Sequence, residues 1–326
     1  MEKSINLKNS NIVFIFPGQG SQHIGMGKDI FENFNIARLI LEESSDVLGM
    51  DMKKLILGDD ENLLNLTENT QPAILTVSIA ILKTIQKEYD LNPVCVSGHS
   101  LGEYSANVFA GSVDFLHALL IAKNRGAFMQ TACPVGFGKM AAIIGLDAGI
   151  IKSVIDNIND PDNKEQVFVA NFNSPVQTVI SGKSSAVDKA CAIFKEHGAK
   201  RVVILPVSAP FHTPFMEEAK SNLSAYFKED WFSDARYEIF SNATSLNYSK
   251  KNDVIKLLLE QITSPVRWSE SVLNMKKIFN VSGFIEIGPS DVLSSLIKRI
   301  DKGVNSLSIN SVSTLKELEK FLPVNN

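Results

Sequence analysis

Short runs of aliphatic and β-branched residues alternate with longer stretches in which apolar residues recur every three or four positions. The first short run, "NIVFIF" (11–16), closes on the turn signal Pro17-Gly18 and predicts a strand. After the polar cluster "LTENT", the segment "TQPAILTVSIAILKTIQKEY" (70–89) has the length and spacing of a helix. "PVCVSG" (93–98) predicts a second strand, a helical pattern follows it at once, and "DFLHALLIAKNRGAFMQ" (114–130) predicts a third helix. This alternation is that of a parallel α/β sheet.

The middle of the chain changes character. "GKMAAIIG" reads as a strand, "DAGIIKSVIDNIN" as a helix, "EQVFVANFN" and "VQTVISG" as two strands, "SSAVDKACAIFKEHG" as a helix closed by Gly198, and "AKRVVILPV" as a strand. The charged stretch "NDPDNKEQ" (159–166) reads as a loop inside this block. The order β-α-β-β-α-β is the ferredoxin-like unit. We therefore expect a small subdomain over 133–206 inserted into a larger α/β part made of 1–132 and 207–326. "YEIFSNAT" and "VSGFIEIGPS" resume the strand-to-loop pattern after Pro206.

Composition adds mainly exclusions. With 326 residues, 44% hydrophobic and 21% charged, the chain has ordinary globular content and ample material for a large core. A net charge of −4, from 32 Lys+Arg against 36 Asp+Glu, gives no electrostatic case for nucleic acid. No run approaches the ~18–20 apolar residues that cross a bilayer, and "MEKSINLKNS" lacks the apolar centre of a signal peptide. Cys95, Cys133 and Cys191 form no CxxC, so neither a disulfide framework nor a zinc site is expected, and a reducing cytoplasm is.

Gly98-His99-Ser100-Leu101-Gly102 fits G-x-S-x-G, the nucleophile elbow, with the required strand before it and helix after it. Glycines two residues to either side allow the tight turn. Ser100 would then sit at a helix N-terminus, where N–H groups favour developing negative charge. A reacting serine needs a base, and the chain has five histidines. His99 adjoins the serine and should point elsewhere, while His117 and His197 lie on helical patterns typical of surface or satisfied residues. His23 follows the first glycine turn and stays open. His212, in "LPVSAPFHTPFM", sits in a proline-bounded loop that could aim an imidazole, and it follows the serine as in Ser-His hydrolase folds. "FPGQGSQ" (16–22) lacks the GK[ST] of a phosphate loop and the third glycine of G-x-G-x-x-G. What remains is a simple turn, or a turn whose N–H groups face a ligand as an oxyanion hole does.

Together "FPGQGSQ", "TQPAILT", "GHSLGEYSA", "RGAFMQ", "GKMAAIIG", "NFNSPVQTVISG", "VSAPFH", "SPVRW" and "EIGPSDVL" resemble, in order and over nearly the whole chain, the malonyl-CoA:acyl carrier protein transacylase family of fatty-acid and polyketide synthesis. The resemblance implies a hydrolase-like α/β core with a ferredoxin-like insert. It implies Ser100 as nucleophile, His212 as base, and the N–H groups of Gln19 and Leu101 as oxyanion hole. Arg125 would bind the free carboxylate of malonate through two parallel charge-assisted bonds, and Gln71 would line the cleft. A main-chain carbonyl within "SPVRW", assigned here to Arg267, would orient the histidine in place of a triad acid. Phe211 and Leu101 match the malonyl-selecting version of their motifs, a bulky ring leaving little room for an α-methyl group. No metal or redox cofactor is implied.

The partners implied are malonyl-CoA and acyl carrier protein, acting with a monomeric enzyme. Carrier proteins are acidic, which makes Lys200, Arg201, Lys298 and Arg299 candidates for a basic docking rim. Three other readings stand beside this one. A thioesterase acting on carrier proteins would use the same serine and histidine but would not place an arginine at position 125. A non-catalytic docking module would have no use for Ser100, His212 and Arg125 together. A trans-acting polyketide acyltransferase would share the chemistry and differ only in its carrier.

Overall fold

The structure is a computed structural model that describes residues 11–159 and 166–322. The amino-terminal decapeptide and most of the "NDPDNKEQ" loop lie outside the described residues.

Among the described residues six strands form the larger sheet: β1 (Ile12–Phe16), β2 (Cys95–Gly98), β7 (Ile239–Phe240), β8 (Asn247–Tyr248), β9 (Gly283–Ile287) and β10 (Asn305–Ile309), in the order β10-β9-β1-β2-β7-β8. All neighbours are parallel except β7 and β8. Every residue of β1 is buried. Ile12, Phe14 and Phe16 enter one hydrophobic core, Val13 and Ile15 a second on the opposite face. A central strand clothed on both faces must read as a continuous apolar run, which is why "IVFIF" shows no polar alternation. The helix Thr67–Glu88 packs on one face, and the helices Trp268–Phe279 and Val292–Ile300 serve the second core.

In the smaller sheet the described residues form four antiparallel strands: β3 (Gly138–Ile144), β4 (Val167–Ser174), β5 (Gln177–Lys183) and β6 (Arg201–Ile204), ordered β4-β5-β3-β6. Helices Ala148–Ile158 and Ser184–Glu196 cover one face, around Ala141, Ile143, Val167 and Ile180. This is the ferredoxin-like order and pairing. The alternate residues of the same strands, Met140, Ala142 and Val179, belong to the main core instead, so the uncovered face turns toward the larger sheet. Val266, whose side chain lies in the second core of the larger part, bonds to β4 by donating its N–H to Ala170 O and accepting from Phe172 N. The chain is thus α/β, with a mostly parallel core and a separate antiparallel sheet. The three cysteines are free thiols, and among the described residues no helix is long and apolar enough to cross a membrane.

Candidate active site

Strand β2 ends at Gly98, and the helix Gly102–Ala110 starts four positions later. A Cβ on Gly98 would lie 2.0 Å from the carbonyl carbon of Gly102, and a Cβ on Gly102 would lie 1.9 Å from Phe16 O. Only glycine lets the strand, the helix and the end of β1 close on one another. Between the two glycines Ser100 takes a φ of 51°, left-handed backbone held because its surroundings over-determine it. One restraint is the Asn242 side chain, whose Oδ1 accepts from Ser100 N at 2.6 Å while its Nδ2 donates to Gly98 O at 2.6 Å.

Ser100 Oγ lies 2.8 Å from Nε2 of His212. His212 also has a left-handed backbone, φ 59°, in a turn braced by Thr213 Oγ1 donating to Pro210 O at 2.6 Å. Phe211 is buried in the same turn. The other imidazole nitrogen, Nδ1, is 2.9 Å from the main-chain oxygen of Gln261. A carbonyl only accepts, so the proton sits on Nδ1 and Nε2 is bare toward the serine hydroxyl. Burial, and then the positive charge of Arg125, push the imidazole down to about 3. At neutral pH the histidine is therefore an unprotonated base in contact with its nucleophile.

The resemblance implies the carbonyl of Arg267 as the group that orients His212; in the structure the main-chain oxygen of Gln261 takes that place instead. Arg267 caps the helix Trp268–Phe279, and its oxygen accepts from both the N–H and the hydroxyl of Ser271 at 2.9 Å. Gln261 lies in the last turn of the helix Lys251–Thr263, where carbonyls lack intrahelical partners. Its own partner four residues on would be Pro265, which has no N–H. The proline frees that oxygen for His212, and the spacing Gln261–Pro265 was a signal available in the sequence.

Arg125, on the helix Phe115–Thr131, is 1% exposed. One terminal nitrogen donates to Gln71 Oε1 at 2.8 Å; the other donates to Gln261 Oε1 at 2.8 Å and to Ser100 Oγ at 3.1 Å. Its guanidinium carbon stands 5.3 Å from the centre of the Tyr104 ring, and among the described residues its Nε has no partner. The fork is thus held by neutral amide oxygens, beside the serine, with no carboxylate bonded to it among the described residues.

Three further residues sit behind this layer, unmarked in the sequence reading. Glu103 Oε2 accepts from Gln261 Nε2 at 2.7 Å and from Asn242 N at 3.1 Å; its Oε1 accepts from Tyr248 OH at 2.9 Å. Burial pushes its carboxyl up to about 7, against the pull of those donors and of Arg125. Glu103, Asn242 and Gln261 are each fully buried. A polar residue at a core position, such as Gln261 on the same face as Val254 and Leu258, is the trace they leave in the sequence.

The N–H groups of Gln19 and Leu101 form no hydrogen bond within the protein among the described residues. The turn carrying Gln19 is tied to the elbow by His99 N donating to Phe16 O at 2.9 Å. His99 itself points away from the dyad, its Nε2 2.8 Å from Asn173 Oδ1 on β4. A cavity of about 270 Å³ runs between the two sheets from this point, past Gly18, Gln19 and His99 on one side and Asn173, Gln177 and Val179 on the other. Among the other histidines, His117 pairs with Asp114 and His197 with Ile193 O.

A nucleophile elbow on a mostly parallel sheet, a Ser–His pair and a buried arginine beside the hydroxyl define an α/β protein of the serine acyl-transfer type. Residues 13–318 match the acyl transferase domain family, and the chain belongs to it. It is 41% identical over 307 residues to the malonyl CoA-acyl carrier protein transacylase of Bacillus subtilis, covering 94% of this chain and 96% of that one. An acyl carrier protein S-malonyltransferase from Vibrio cholerae superposes with a TM-score of 0.90 at 38% identity, over 95% of this chain and 100% of that one. So does a malonyl-transacylase in complex with its type II PKS acyl carrier protein, with a TM-score of 0.90 at 37% identity and the same coverage.

Proposed function

We propose that the chain transfers the malonyl group of malonyl-CoA to the phosphopantetheine thiol of acyl carrier protein, through a malonyl ester on Ser100. The observation that carries this reading is the position of Arg125. A buried cation 3.1 Å from the nucleophile favours an acyl group that brings its own carboxylate and disfavours one that leaves the charge unpaired. A hydrolase of neutral acyl chains has no use for it.

The chemistry balances without a metal or redox cofactor. Ser100 Oγ attacks the thioester carbonyl as its proton passes to His212 Nε2. The developing oxyanion is received by the N–H groups of Gln19 and Leu101. The C–S bond breaks, and the departing CoA sulfur takes the proton from His212. The carrier's thiol then gives its proton to His212 and attacks the ester, and Ser100 leaves with that proton. Gln261 O holds the imidazole through both halves. Gln71 and Gln261 hold Arg125 against the malonyl carboxylate, and Phe211 crowds an α-substituent. The protein is expected to act as a monomer in the cytoplasm.

Intact-protein mass measurement after mixing with malonyl-CoA tests the reading. A malonyl adduct is expected that is absent in Ser100→Ala, strongly reduced in Arg125→Ala, and chased onto holo acyl carrier protein. Release of free malonate with nothing passed to the carrier would overturn it in favour of a thioesterase.

A further inference from the structure

We propose that Glu103 is a positioning residue for acyl-group selection: by accepting from Gln261 Nε2 it turns the Gln261 amide so that oxygen, not nitrogen, faces Arg125. The inference rests on the proposed malonyl transfer and names a residue that none of the chemical steps above uses.

The two ends of a glutamine amide are almost the same size, so packing alone does not choose between them; hydrogen-bond partners do. Gln261 Nε2 donates to Ser100 O at 2.9 Å and to Glu103 Oε2 at 2.7 Å, and Gln261 Oε1 accepts from Arg125 at 2.8 Å. A flipped amide would set oxygen against the Ser100 carbonyl and the Glu103 carboxyl, and an NH2 group against the guanidinium. Glu103 supplies one of the two acceptors that forbid the flip, and it is itself fixed by Asn242 N and Tyr248 OH. Tyr248 is fixed in turn by Asn107 Nδ2, 2.9 Å away.

The interposed amide has a second consequence. A glutamate bonded straight to Arg125 would form an ion pair and compete with the substrate carboxylate for the same fork. With Gln261 between them, the orientation of the guanidinium is set from Glu103, but the groups touching its terminal nitrogens stay neutral. The guanidinium is held in place and still free to take an anion. One buried residue on the elbow's own helix thereby links the nucleophile's backbone to the group that reads the acyl chain.

The test is the rate of Ser100 acylation by malonyl-CoA and by acetyl-CoA, read by rapid-quench intact mass. It is made on wild type, Glu103→Asp, Glu103→Gln, Gln261→Ala and the Glu103→Asp/Gln261→Ala pair. The shorter Asp side chain withdraws its carboxyl from Gln261, so its malonyl-over-acetyl preference should fall about tenfold, the scale of one hydrogen bond to a charged group. Glu103→Gln keeps an acceptor within reach and should stay within about threefold of wild type. Gln261→Ala retains the main-chain oxygen that holds His212, and it should lose the preference as well. The double variant should lose no more than Gln261→Ala does, the coupling expected of two residues in one path.

An unchanged preference in Glu103→Asp overturns the proposal, as does an equal loss for both acyl groups or a fall in Glu103→Gln as deep as in Glu103→Asp. Should Glu103→Asp not fold, Gln261→Ala decides: an unchanged preference there overturns the proposal too. If wild type takes up no malonyl group, it is the proposed function that fails.

Discussion

At the scale of single residues the site is governed by one cation next to one neutral base. Arg125 contributes to holding His212 down to about 3, second only to burial. Removing the cation in Arg125→Ala raises the imidazole toward its ordinary value, though burial keeps it below. The acid limb of Ser100 acylation should therefore move to higher pH, and a stopped-flow pH profile with acetyl-CoA, which needs no carboxylate partner, reads it directly. An unmoved limb would mean that the charge of Arg125 is not felt at Nε2. With malonyl-CoA the same variant should lose on the order of 10²-fold in kcat/KM, the worth of one or two charge-assisted bonds. Ser100, His212, Arg125 and Gln71 were legible because motif and resemblance marked them, and the structure brings their side chains into one hydrogen-bonded group. Glu103 and Asn242 were not, because their work is to satisfy polar partners inside the core, and a buried polar network has no spacing of its own; of that network only Gln261 left a trace, in its spacing to Pro265.

At the scale of elements, the end of the helix Lys251–Thr263 places the base. Pro265 denies Gln261 O an intrahelical N–H, and Val266 then leaves the helix to join β4 through its bonds to Ala170 and Phe172. Pro265→Ala would restore a donor and let the helix lengthen in competition with His212. We expect kcat to fall roughly three- to tenfold with KM for malonyl-CoA little changed, since a bond worth ~1 kcal/mol is put in competition. Steady-state kinetics decide this, and an unaltered kcat would show that the tertiary bonds of Val266 alone fix the turn. The same principle separates what was readable from what was not. Strands β1 to β6 stand out because each is a short apolar run bounded by turns. "YEIFSNAT" and "VSGFIEIGPS" mark β7 and β9 in the same way, whereas the two-residue β8 is set by its neighbour and is too short to carry a period.

At the scale of the whole molecule, strand register assembles a feature that the sequence scatters over a hundred residues. Ile144 pairs with Gln177 on β5 and with Arg201 on β6. Arg299, from the large part, donates to Gln177 Oε1 at 2.7 Å, and Lys200 packs its stem over the backbone at Gly145. Gln177 also lines the cavity between the sheets. Arg299 thus reaches the cavity's edge through Gln177, and Arg201 and Lys200 are exposed on the neighbouring part of the small sheet, on a chain whose net charge is −4; we propose that these cations form a local rim that suits an acidic carrier. Reversing two of these charges, Arg201→Glu with Arg299→Glu, should raise KM for holo carrier protein about tenfold at low salt. The effect should shrink by roughly 0.5 M salt, where exposed charges are screened. Acylation of Ser100 by malonyl-CoA is the control, because the phosphates of CoA are the other anions that could meet the rim. If that first half-reaction stays within about twofold of wild type while the carrier step weakens, the rim serves docking. If both halves weaken together, it holds the phosphates of CoA, and the carrier must dock elsewhere.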